Sequence, residues 1–122
     1  MERKLFFFFA VTFTTAIAIG SFLSVENSVQ IKIHAFDKVV HIGAYGVLTL
    51  SWLLAFKDKA QQLKFTLLIA SLVFVYGIII EVLQESLTWS RQADTYDLFA
   101  NLIGIILAFL FFKTVLPKKK MN

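Results

Sequence analysis

The chain has 122 residues, 58% of them hydrophobic and 16% charged, with fourteen Phe, one Pro, no Cys and a net charge of +4. A soluble domain of this size exposes too large a share of its surface to hide so apolar a sequence, so the composition specifies an integral membrane protein with lipid as its main solvent. Disulfides, thiolate nucleophiles and Cys-ligated metals are excluded by the missing cysteine.

Four segments approach the roughly 20 apolar residues that a helix needs to cross a bilayer. The first, 5–25, follows Arg3 and Lys4 and so imitates a secretory signal, but its apolar run continues too far, and it reads as a retained span. The second, 39–56, follows the polar VENSVQIKIHAFDK; the third, 65–84, follows KDKAQQLK; the fourth, 98–116, follows ESLTWSRQADTYD. Pro117 closes the fourth where a missing N–H does least harm, and PKKKMN leaves as a basic tail. Connections this short and polar join antiparallel neighbours, so the expectation is an all-α membrane protein: one domain over 1–122, four transmembrane helices in an antiparallel bundle.

Orientation follows from Lys and Arg. A cytoplasmic N-terminus places Arg3, Lys4, Lys57, Lys59, Lys64, Lys113, Lys118, Lys119 and Lys120 inside, and only Lys32, Lys38 and Arg91 outside. Both termini are therefore expected in the cytoplasm, with the first and third connections facing outward. The positive charge flanks spans instead of forming one basic face, which speaks against a nucleic-acid partner.

With that topology the polar residues fall at one depth. His41 lies about 6 Å and Tyr45 about 12 Å below the outer start of the second helix, Glu81 about 24 Å from the inner start of the third, and Asn101 about 6 Å below Asp97 on the fourth. Each set also forms a stripe on one helix face: Asp37, His41 and Tyr45; Gly77, Glu81 and Gln84; Asp97, Asn101, Gly104 and Ala108. An acid at mid-helix costs about 2.5 to 3.5 kcal/mol on insertion scales, so such groups face the bundle interior. Three helices thus supply the walls of one outward-facing polar cleft: Asp37, Lys38, His41, Tyr45, Glu81, Gln84, Arg91, Asp94, Asp97 and Asn101.

Structural roles compete for several of these. Asp94 and Asp97 have the spacing of a capping pair at a helix start, and Asp37 also suits an N-cap. Arg91 suits an interfacial ion pair with Asp94 or Glu85 as well as a ligand's anionic headgroup. Tyr45 suits a hydrogen bond to a neighbouring helix, Trp52, Trp89 and Tyr96 suit the membrane interfaces, and His34 falls in a loop. His41, Glu81 and Asn101 fit a structural role least well: Glu81 would stabilise an imidazolium at His41, Asn101 would offer a donor and an acceptor, and Lys38 or Arg91 would collect phosphate at the rim.

The run D-K-x-x-H-x-x-x-Y-x-x-L at Asp37, Lys38, His41, Tyr45 and Leu48 resembles the VanZ-like family of small bacterial membrane proteins. So do E-x-x-Q at Glu81 and Gln84 and R-x-x-D-x-x-D-x-x-x-N-x-x-G at Arg91, Asp94, Asp97, Asn101 and Gly104. The resemblance covers residues 37 to 108 and departs at Ala108, where members often carry a second Gly. It implies a multi-pass protein of the bacterial inner membrane, a role in the cell envelope, and a link to glycopeptide (teicoplanin) susceptibility and so to antibiotic resistance. It implies no particular reaction.

Three functions remain open. A binding module would hold a membrane lipid, a lipid-linked envelope precursor or an envelope protein in the cleft, without cofactor or metal. An integral membrane enzyme acting on a lipid headgroup would use His41 as general base or nucleophile, oriented by Glu81 or Asp97; metal binding by His41, Glu81 and Asp97 has only a weak signal, and catalytic residues are otherwise unassigned. A proton-coupled transporter fits less well, because Glu81 is in the third helix and near the outer face. No P-loop, Rossmann fingerprint, EF-hand or H-E-x-x-H occurs, and Ser86 and Ser90 lack any nucleophile-activating pattern.

Overall fold

The computed structural model describes residues 2–23, 34–87 and 95–114, with side chains for these apart from 2, 21–23, 34–37, 84, 85, 87 and 95. They form four α-helices, α1 (Glu2–Leu23), α2 (His34–Ala55), α3 (Leu63–Leu87) and α4 (Thr95–Thr114), with a 3-10 helix (Lys59–Gln61) between α2 and α3. All four α-helices are long and apolar enough to span a membrane. Hydroxyl residues inside the apolar runs bond back to their own helix: Thr14 donates to the Ala10 carbonyl at 2.7 Å, Thr49 to Tyr45 at 2.8 Å and Ser51 to Val47 at 2.7 Å.

Three helix ends run past the apolar segments. α2 opens at His34 and not at the edge of its hydrophobic run, so His34 belongs to a helix instead of a loop. Asp37 consequently lies within the first turn of α2 and is not its N-cap. α3 continues to Leu87, and α4 opens at Thr95, which puts Asp97 inside its first turn. Polar residues near a membrane surface keep their backbone bonds satisfied by staying helical, so loss of hydrophobicity alone does not mark where a helix stops.

α2 is the hub. It packs most extensively on α4, then on α1, and also touches α3. Its contact with α4 is backbone against backbone: a Cβ on Gly104 would fall on the Ile42 carbonyl oxygen and 2.9 Å from the Gly46 nitrogen. Small residues at such crossings allow helices in lipid to gain van der Waals contact, and here no side chain fits at Gly104. Gly77 of α3 faces side chains instead, since a Cβ there would lie 2.8 Å from Asn101 Nδ2 and 3.2 Å from Tyr45 Cε2.

Around the α2–α3 turn, Arg3 pairs with Asp58 at 3.2 Å, and Lys113 Nζ donates to the carbonyls of Ala60 at 2.8 Å and Gln61 at 3.2 Å. Thr66 Oγ1 also donates to the Ala60 carbonyl, at 2.6 Å. α1 is fastened to the bundle at Thr14, whose hydroxyl accepts from Trp52 Nε1 at 3.0 Å and whose carbonyl accepts from the Tyr76 hydroxyl. Phe7 meets the Trp52 ring edge-on at 5.6 Å. Trp52 is therefore an interhelical residue: its N–H finds a protein partner and its ring finds aromatic ones. Tyr96, by contrast, is 71% exposed.

The distribution of polarity differs from that of a water-soluble protein: the buried set is mostly apolar but includes polar and charged side chains, and the outside is apolar as well. Thr49, Thr66, Glu81, Asp97 and Asn101 are buried, while Leu5, Phe8, Leu72, Phe99 and Leu107 are exposed. So large an apolar outer surface suits a hydrocarbon solvent.

Candidate functional site

Lys38 and His41 lie about one turn apart on α2, and Asp97 and Asn101 one turn apart on α4. The close Gly104 crossing brings the two pairs face to face. Lys38 Nζ sits 2.6 Å from Asp97 Oδ1, and His41 Nε2 sits 3.7 Å from Asp97 Oδ2. The other ring nitrogen, Nδ1, lies 3.1 Å from Asn101 Oδ1. With the amide oxygen facing it, Nδ1 is the donor in that bond. One carboxylate therefore divides its two oxygens between an ammonium and an imidazole, and the amide below holds the imidazole in place.

The side chain of Asp97 is 1% exposed, that of Lys38 23% and that of His41 20%. The negative charge is thus the desolvated partner, and the positive groups form its cover. Asp97 also occupies the first turn of α4, where the positive end of the helix dipole favours a carboxylate. Among the described residues every buried side-chain nitrogen and oxygen has a hydrogen-bond partner, as a low-dielectric polar network requires.

Tyr45, one turn further along α2, stacks on His41 with ring centroids 6.4 Å apart and planes 7° apart. Its other neighbour is Tyr76 of α3, at 6.5 Å. Glu81, 3% exposed, follows Gly77 on α3 by one turn, and both Glu81 and Asp97 lie within electrostatic reach of the Tyr45 phenol. The structure thus brings together Lys38, His41, Tyr45, Asp97 and Asn101, with Glu81 on the α3 side. Arg91 and Asp94 lie outside the described residues, as do Trp89, Ser90, Pro117 and the side chains of Asp37 and Gln84.

Two partnerships are narrower than what the stripes suggest. Of the two carboxylates expected to orient His41, Glu81 or Asp97, it is Asp97 that lies 3.7 Å from its ring, and the Lys38 ammonium, expected to collect phosphate at the rim, is turned onto the same carboxylate. Among the described residues, no three His, Asp or Glu side chains converge as a metal site. The Thr14, Trp52 and Tyr76 junction carried no sequence signal, because its members share neither a spacing nor a helix.

No family model matches the chain, and no curated protein or solved structure matches it.

Proposed function

We propose that the chain is a VanZ-like antiparallel bundle of the bacterial inner membrane, with both termini cytoplasmic, whose outward-facing polar cleft binds a lipid-linked component of the cell envelope. The observation that carries this reading is the desolvated Lys38, His41, Asp97 and Asn101 network at the shared end of α2 and α4. Ionisable groups are costly within a span and mark binding or transport sites there. The end contacts support the topology: Arg3, Asp58 and Lys113 gather around the α2–α3 turn, while Lys38 and Asp97 meet at the starts of their helices. That grouping, with the Lys and Arg excess beside the turn, supports a cytoplasmic turn and an outward cleft.

The His41 geometry favours binding over catalysis. Both ring nitrogens are directed at α4, one at Asn101 and the other towards Asp97, whereas a general base needs a nitrogen aimed at the substrate. The VanZ-like resemblance extends the proposal to glycopeptide susceptibility.

Lipid mass spectrometry of detergent-purified protein tests the reading. A specific lipid that co-purifies with the wild type and is lost from His41→Ala and Glu81→Gln is the expected result. Identical lipid profiles in folded variants would refute it, and turnover of a lipid headgroup lost in the same variants would move the protein to the enzyme class.

A further inference from the structure

A neutral His41 turns its acceptor nitrogen towards a carboxylate. Nδ1 donates to Asn101 Oδ1 at 3.1 Å, which makes Nε2 the unprotonated nitrogen of a neutral ring. Nε2 faces Asp97 Oδ2, so two lone pairs oppose each other, and the 3.7 Å between them is longer than a hydrogen bond. The other oxygen of the same carboxylate is held by Lys38 at 2.6 Å. A proton taken from water onto Nε2 converts the opposed pair into a charge-assisted hydrogen bond of about 2.8 Å and leaves the Asn101 bond in place. His41 is 20% exposed, which gives water access to the ring.

One buried carboxylate then serves two cations. Taken together, Lys38, His41 and Asp97 pass from electrically neutral to net positive when His41 is protonated. Among the described side chains, the other titratable groups around the ring are Tyr45, stacked on it from α2, Tyr76 of α3 behind Tyr45, and Glu81 of α3 within electrostatic reach of the Tyr45 phenol. α1 brings none, since its titratable residues, Glu2, Arg3 and Lys4, stand in its first turn, and Arg3 is paired with Asp58 at the other end of the bundle. Lys38 is 23% exposed near the start of α2, on a stem long enough to turn its ammonium towards the headgroup layer.

We infer that the cleft is a proton-gated anion site, in which protonated His41 takes over the Asp97 carboxylate and the Lys38 ammonium turns outward to hold a phosphate oxygen of the headgroup. The inference rests on the lipid-binding reading above and adds to it the charge of the ligand and the condition under which it binds. While His41 is neutral, an anion reaches Lys38 only by competing with a buried carboxylate. Once His41 is charged, the competition is relieved and the group as a whole attracts an anion. By linkage, an anionic headgroup that favours the protonated site draws a proton onto His41 at fixed pH.

His34→Gln leaves His41 as the sole histidine. That protein, labelled with nitrogen-15 at histidine and held in phosphatidylcholine nanodiscs, is titrated with phosphatidylglycerol, a phosphodiester of constant charge from about pH 5 to about pH 8, where an imidazole titrates. The ring nitrogen shifts read tautomer and protonation together. The expected result is an Nδ1–H tautomer at the alkaline end, saturable binding that is about fivefold or more tighter at the acidic end, and a rise in imidazolium on adding stoichiometric lipid at mid-range. An Nε2–H tautomer at the alkaline end overturns the gate, because Nε2 would already be a donor facing Asp97. Asp97→Asn, which removes the carboxylate that holds Lys38, is expected to bind at the alkaline end about as tightly as the wild type does at the acidic end; weak binding there by the folded variant overturns the release of Lys38. The two proposals fail separately. Saturable binding of equal affinity at both ends, while His41 titrates, removes the gate and keeps the lipid reading. Glycerophosphoglycerol, the same headgroup without tails, removes the lipid reading and keeps the gated anion site if it binds as tightly as the lipid with the same pH dependence. Absence of saturable binding by either probe at any pH overturns the anion site.

Discussion

Replacing Lys38 by Met is expected to destabilise the bundle far more than replacing Asp97 by Asn. At 2.6 Å and an effective dielectric of about 20 the gross attraction of the pair is about 6 kcal/mol, much of it offset by desolvation of the two charges. The asymmetry comes from burial. Lys38→Met leaves a carboxylate that is 1% exposed without its ammonium, a loss of about 3 to 5 kcal/mol. Asp97→Asn leaves an ammonium that is 23% exposed on a flexible stem able to reach the headgroup layer, which lowers the expected loss to about 1 to 2 kcal/mol. The double variant Lys38→Met with Asp97→Asn removes both charges, so it should recover about 2 kcal/mol relative to the sum of the single losses. Reversible unfolding in mixed micelles, followed by tryptophan fluorescence, measures all three, with Trp52 reporting on the α1–α2 junction. Equal single losses that add to within about 0.5 kcal/mol in the double variant would refute the pairing.

Gly104→Val should separate α2 from α4, because its side chain would occupy the position of the Ile42 carbonyl; a loss of about 3 kcal/mol or outright failure to fold in the same assay is expected, with Gly43→Ala, which meets open space, close to neutral. At the other end of the bundle, Lys113→Met should cost about 1.5 to 3 kcal/mol because it leaves the Ala60 and Gln61 carbonyls without their charged donor, while Arg3→Ala, which breaks an exposed pair, should cost about 0 to 1 kcal/mol in the same measurement.

The four helices long and apolar enough to span a membrane were legible because a long apolar run has few alternatives in a chain this short of Pro and Gly. Polar residues four apart on separate segments likewise signalled a shared layer, and the structure brings His41, Asp97 and Asn101 into contact within it. Periodicity could not say which stripe faces which. It gives an azimuth on one helix, whereas the pairing of Asp97 with Lys38 depends on how closely two helix axes approach, and that distance is set at Gly46 and Gly104. The interhelical bond of Trp52 was not legible for a related reason: an amphipathic ring suits an interface or an interhelical hydrogen bond equally well, and its partner Thr14 lies on another helix. Helix starts at His34 and Thr95 were displaced because hydrophobicity, which marks the hydrocarbon boundary, does not mark the end of backbone hydrogen bonding.

α4 has a part in the assembly of the helices made before it. Lys38 and His41 are synthesised on the second helix, and the Ala60 and Gln61 carbonyls on the turn after it, yet Asp97, Asn101 and Lys113, which bind them, arrive on α4. A nascent chain that has inserted only three helices carries two basic groups and a turn still lacking the contacts of the finished protein. Docking α4 therefore supplies contacts at both ends of the bundle at once.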